Sequence, residues 1–142
     1  MSNNHKQILQ PASWTPPRGY ANGVAASGRQ VFVAGQIGWN ERCEFDSDDF
    51  IAQVRQTLLN IRAVLAEAQA QPEHIVRMTW YLIDKREYIA RGREVGQAYR
   101  DVLGRDYGIA MSAVQVAALM EDRAKVEIEV TAVVPEAAGQ GA

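Results

Sequence analysis

The chain has very little of the residues that make metal sites and disulfides. Its 142 residues include one cysteine, Cys43, and two histidines, His5 and His74. A lone cysteine excludes an intramolecular disulfide framework. Two distant histidines with no cysteine beside them have no zinc spacing, so no metal is expected. Basic charge is not in excess: Lys plus Arg is 15 against 17 for Asp plus Glu, a net charge of −2. A nucleic-acid partner therefore becomes a weak expectation. No apolar run approaches the ~20 residues of a membrane span. The polar stretch Met1 to Gln10 also lacks the apolar core of a signal peptide. The expectation is a reduced, soluble, cytoplasmic protein with no membrane partner. Gly35-Gln36-Ile37-Gly38 has neither dinucleotide nor Walker spacing, and no Gly-x-Ser-x-Gly elbow occurs.

What remains has the composition of one folded domain, 47% apolar and 23% charged. Pro11, Pro16 and Pro17 exclude regular structure near the start, so residues 1–19 read as a tail and irregular arm, with Trp14 packing the arm onto the body. Residues 20–134 form the body, and 135–142 read as a frayed tail. Val24–Ser27 and Gln30–Ile37 read as strands flanking a turn at Ser27-Gly28-Arg29. Asp46 or Ser47 caps a helix carrying Phe50, Val54, Leu58, Ile61, Leu65 and Ala68 as one stripe. Ile75–Ile83 is a strand with Val76, Met78, Trp80 and Leu82 on one face, and Ile75, Arg77, Thr79 and Tyr81 on the other. A second helix spans Arg86–Leu103, with Gly104 as its stop. Met111–Leu119 and Ala124–Val134 close the fold as strands, the last alternating strictly.

This order, ββαβαββ, predicts an α+β domain with both helices on one face of the sheet. Phe32, Ala34, Met111, Ala113 and Val133 are then expected on the other face. That face is too apolar for water and predicts an oligomer with its site at the subunit boundary.

Several segments resemble the Rid, or YjgF-like, family of reactive-intermediate deaminases. They are Gly19-Tyr20, Val31 to Ile37, Gln53 to Ala66, Ser112 to Leu119 and Lys125 to Glu129. The resemblance implies a chorismate-mutase-like fold and a homotrimer with a small-molecule metabolite in each inter-subunit cleft. It implies hydrolysis of enamines or imines such as 2-aminoacrylate to keto acids and ammonia, with no cofactor. It assigns Glu127 the catalytic, water-positioning role, and places Tyr20, Gly35, Met111 and Ala113 in the substrate pocket. Gln36 matches the glutamine that follows the glycine.

The chain departs from the family at the pocket itself. Met111 stands where the family's carboxylate-binding arginine belongs, Ala113 replaces a cysteine, Ala34 a serine, and Gly96 falls near an asparagine. A thioether cannot hold a carboxylate as a guanidinium does. Either the ligand differs, as a bulkier or more apolar metabolite such as an amino-muconate would, or another cation among Arg18, Arg77 and Arg93 supplies the anchor. The residues leave open an enamine/imine deaminase, a trimeric metabolite-binding protein without turnover, and, as a weak third, a nucleic-acid role. Trp39 and Trp80 are further pocket candidates. Cys43, set among acids, reads as an unreactive surface thiol, and His74 as the start of a strand.

Overall fold

The computed structural model describes residues 6–136. His5 and the tail beyond residue 136 lie outside them. The elements are β1 (Lys6–Leu9), β2 (Gly23–Ala26), β3 (Arg29–Ile37), α1 (Phe50–Glu67), a 3-10 turn (Pro72–His74), β4 (Ile75–Leu82), α2 (Lys85–Ala90), α3 (Gly92–Leu103), β5 (Ala110–Gln115) and β6 (Val126–Val134). Four strands make one mixed sheet in the order β3-β6-β4-β5, with β5 parallel to β4 and the other neighbours antiparallel. β2 and β3 flank the expected turn but part company, because β2 pairs with β1 instead.

The α+β architecture with helices on one side of the sheet is as expected. Along β6, Val126, Ile128, Val130 and Ala132 are buried and alternate with Glu127, Glu129 and Thr131, the period of a strand with one covered face. The stripe of α1 buries Phe50, Val54, Leu58, Ile61 and Leu65. Its cap is Asp49, whose Oδ2 accepts the Ala52 N–H at 2.9 Å. The helix comes close to the strand end because Gly38 has no side chain: a Cβ there would stand 2.7 Å from Gln53 Cα. Buried Gln53 then ties the helix to two loops. Its Nε2 donates to the Ser47 and Arg123 carbonyls, and its Oε1 accepts the Lys125 N–H at 2.9 Å.

Several expectations are corrected. Residues of the expected N-terminal tail form β1, and Trp14 is 57% exposed rather than packed on the body. A bulge at Val76 shifts the β4 register, so Ile75 joins Met78, Trp80 and Leu82 on the buried face. The second helix is two, α2 and α3, broken at Arg91. The fifth strand stops at Gln115, and His74 closes the 3-10 turn just before β4. Val133 is 7% exposed despite its open-face parity, whereas Phe32 is 71% exposed.

The most consequential correction concerns β5. Its parallel register sets Met111 beside Met78 and Ala113 beside Trp80. Paired residues of neighbouring strands point to the same side, so Met111 and Ala113 belong to the helix-covered face and not to the open one.

Candidate functional site

A cavity of about 640 Å³ opens between the outer edge of β5 and helices α2 and α3. Met111, Ser112 and Ala113 form one wall and Trp80 lies beside them. Arg18, Gly19 and Tyr20 come from the arm, which a bond from the Ala21 N–H to the Ile109 carbonyl, 2.8 Å, holds along β5. Tyr88 and the α3 residues Gly92, Val95, Gly96, Tyr99 and Arg100 form the opposite wall, with Tyr107 at its end. Four of the chain's five tyrosines therefore line this one cavity. Tyr99 and Tyr107 stack at 5.2 Å between ring centroids, and the Tyr99 hydroxyl donates to the Asp106 carbonyl. Burial pushes the Tyr99 and Tyr88 phenols above their ordinary range, so both stay neutral at physiological pH. The Trp80 indole N–H is buried without a hydrogen-bond partner among the described residues.

Glu127 and Gly35 lie elsewhere. By register Glu127 pairs with Tyr81 on β4, on the face turned away from the helices. Its carboxylate occupies the space that a side chain at Gly35 would fill. Beside it the Tyr81 hydroxyl donates to Glu129 Oε1 at 3.0 Å, and this bond is the main cause raising the Tyr81 phenol's pKa. Within one chain, the five residues singled out from sequence thus form two groups. Tyr20, Met111 and Ala113 border the cavity, while Gly35 and Glu127 meet on the opposite face of the sheet.

The proposed replacement cations separate in the same way. Arg18 lines the cavity, Arg77 falls with Thr131 in the β4–β6 register, and Arg93 is exposed on α3 outside the cavity lining. Sequence reasoning missed Arg100, half-buried in the cavity wall. A signal was present: Gly92, Gly96 and Arg100 recur at helical spacing, which leaves one face of α3 bare up to the arginine. Trp80 lines the cavity as one candidate reading had it. Trp39 packs on Phe45 instead, and Cys43 is exposed. Among the described residues no cluster of His, Cys, Asp and Glu could hold a metal, and no helix is long and apolar enough to cross a membrane.

Comparison with known proteins agrees with this architecture. The model of the family described as Endoribonuclease L-PSP matches residues 11–134. A RutC family protein of Aquifex aeolicus is 31% identical over 129 residues, covering 90% of this chain and 98% of its own. A second, from Synechocystis, is 32% identical over 131 residues, covering 91% and 97%. The crystal structure of the Rid-family protein YyfB from Yersinia pestis superimposes with a TM-score of 0.80 at 30% identity, over 92% of this chain and 99% of that one. That of E. coli TdcF, which contains bound serine, gives 0.65 at 31% identity, over 90% and 98%. The chain belongs to the Rid/YjgF family and has its chorismate-mutase-like α+β fold.

Proposed function

We propose that the protein is a hydrolytic deaminase of an enamine or imine metabolite other than 2-aminoacrylate, acting as a homotrimer with its clefts between subunits. The observation that carries this reading is the split of the family-matching residues between two faces of one sheet. The cavity side offers Tyr20 and the β5 wall, and the open side offers the Glu127 carboxylate over Gly35. A second copy covering the cavity mouth with its open face would join the two halves. The exposed Phe32 and Val114 favour such a cover. The serine bound to E. coli TdcF supports a ligand related to an amino acid. The free, exposed Cys43 suits the reducing cytoplasm.

In this reading an enamine first takes a proton on carbon and loses one from nitrogen, becoming an imine. Glu127 orients a water and accepts its proton while the oxygen adds to the C=N carbon and the nitrogen is protonated. The resulting carbinolamine collapses: the C–N bond breaks, ammonia leaves, and the carbonyl forms. The test supplies imines from an amino-acid oxidase or dehydratase and follows ammonia release. Acceleration that is lost in Glu127→Gln, with an unchanged trimer by light scattering, is the expected result. A stable monomer with no acceleration on any imine overturns the proposal.

One observation favours a second reading, a trimeric metabolite-binding protein without turnover: Met111 stands where the family's arginine would be. Saturable ligand binding without hydrolysis of any imine tested selects it.

A further inference from the structure

The cavity that lost its cation on β5 has one on α3. We propose that Arg100 is the carboxylate anchor of this cavity, and that the ligand it takes is a carboxylate bearing a flat aromatic or conjugated body. The proposal deepens the reading above by naming the ligand class of the same site.

Three observations point to Arg100. First, among the described residues its guanidinium makes no ion pair with an acid, although, after Gln97 and Arg55, its charge adds a little to holding the Asp101 carboxyl low. Nη2 donates to Gln97 Oε1 at 3.3 Å and Nη1 to the Tyr107 hydroxyl at 3.4 Å, both neutral acceptors and both long. The neighbouring Asp101 is bonded instead to Arg55 and Gln97. Arg55, Arg91 and Arg123, in contrast, pair with carboxylates.

Second, Gly96 makes room for it. A Cβ at Gly96 would stand 3.1 Å from Arg100 Nη1. The missing side chain lets the guanidinium fold back one helical turn along the cavity wall. The empty position and the cation are one arrangement, since a side chain at position 96 would compete for the space.

Third, Arg100 is half-buried and its Nη1 reaches the hydroxyl of Tyr107, whose ring stacks on Tyr99, whereas Arg18 at the same cavity is exposed. A cation held in place beside low-dielectric walls binds an anion better than one that must be ordered first.

The ligand's body follows from the rest of the wall. Met111, Tyr20 and Tyr88 present aromatic and thioether surface with no charge. Ring faces and sulfur favour a planar, polarisable partner. A two- or three-carbon chain would leave most of about 640 Å³ unfilled.

Three probes separate the two halves of the proposal without requiring turnover. Phenylpyruvate carries both the ring and the carboxylate, pyruvate lacks the ring, and phenylacetone lacks the carboxylate. Calorimetry on the full chain is expected to show phenylpyruvate bound at least tenfold more tightly than either. Arg100→Gln should weaken phenylpyruvate by about 10- to 100-fold, the range of a lost charge-assisted bond. The same change should leave phenylacetone unaltered, and Arg100→Lys should recover part of the loss. Gly96→Leu, which improves helix propensity, should also weaken phenylpyruvate while raising the melting temperature. The anchor is overturned if Arg100→Gln binds phenylpyruvate as the parent does, or if Arg18→Gln alone abolishes binding. The aromatic class is overturned if pyruvate binds as tightly as phenylpyruvate, and both halves if no probe binds. Binding as expected with no hydrolysis of any imine leaves the anchor standing and removes only the deaminase reading.

Discussion

Gly35 on β3 and Glu127 on β6 are a fitted pair. A Cβ at position 35 would lie 2.8 Å from the Glu127 carboxyl carbon and 3.0 Å from its Cγ. The carboxylate therefore lies against bare backbone, and Gly35 sets its position. Gly35→Ala is expected to swing the carboxylate away and cut imine hydrolysis at least ~10-fold, the scale of losing a positioned base. The fold should persist. Glu127→Ala removes the obstruction, so the double variant Gly35→Ala/Glu127→Ala should be as stable as Glu127→Ala alone. Urea unfolding of the three proteins measures this coupling.

Gln53 is the polar clamp of the core. Gln53→Leu would strand the Ser47 and Arg123 carbonyls and the Lys125 N–H. Buried groups left unpaired cost about 1–3 kcal/mol each, less where water reaches them. A loss of about 2–4 kcal/mol is expected in chemical denaturation. Gly38→Ala should act at the same place, because its Cβ would meet the Gln53 backbone. A loss below that of an ordinary surface change would mean that α1 is free to shift outward.

Acid should loosen the helical layer. The Ala52 N–H, and then Arg91, hold the Asp49 carboxyl below its ordinary range; Arg91 does the same to Glu94, and Gln97 with Arg55 to Asp101. A carboxyl depressed in the folded state contributes stability above its unfolded pKa and loses it as pH falls through the folded value. The melting temperature should hold steady down to about pH 5 and fall below about pH 4. Asp49→Asn keeps a capping oxygen without the charge. It should melt below the parent at pH 7 and converge with it near about pH 3.

Met111→Arg puts a cation on β5, across the cavity from the one on α3. Activity on 2-aminoacrylate should be weak in the parent, roughly 30- to 150-fold below a member with the arginine, because a three-carbon substrate held at β5 does not span to Arg100 on the opposite wall and lacks ~2–3 kcal/mol of charge-assisted binding. The variant should recover part of this in a coupled ammonia assay. A parent already as fast as such a member would mean that the cavity serves small imino acids as it stands.

The helix α1, the alternation of β6 and the helix-on-sheet layering were legible because each depends on periodicity within a single segment. On β4 the alternation grouped Met78, Trp80 and Leu82 as the structure does, but the irregularity at Val76 exchanges the faces of Ile75 and Val76 and leaves no local trace. Alternation along β5 showed that Met111 and Ala113 share a side. Which side depends on register with β4, a relation between segments. The site was legible to the same degree. The family pattern pointed to Tyr20, Gly35 and Glu127, whereas the role proposed for Arg100 rests on an absent side chain one turn away at Gly96. A residue-by-residue transfer looks at matching positions and so passes over a cation on another element.

The sheet order carries a consequence for synthesis. β6 comes last in chain order among the described strands, and it lies between β3 and β4, pairing with both. While the ribosome is making the chain, β3 has no sheet partner until residues 126–134 emerge, although β4 and β5 can already pair with each other. The nascent protein must therefore carry the apolar Val31, Phe32 and Val33 on a strand without a sheet partner until β6 is made, for more than half of its synthesis. Translation that stops short of residue 126 leaves a strand with nowhere to go, a substrate for chaperones and proteases rather than a smaller folded protein.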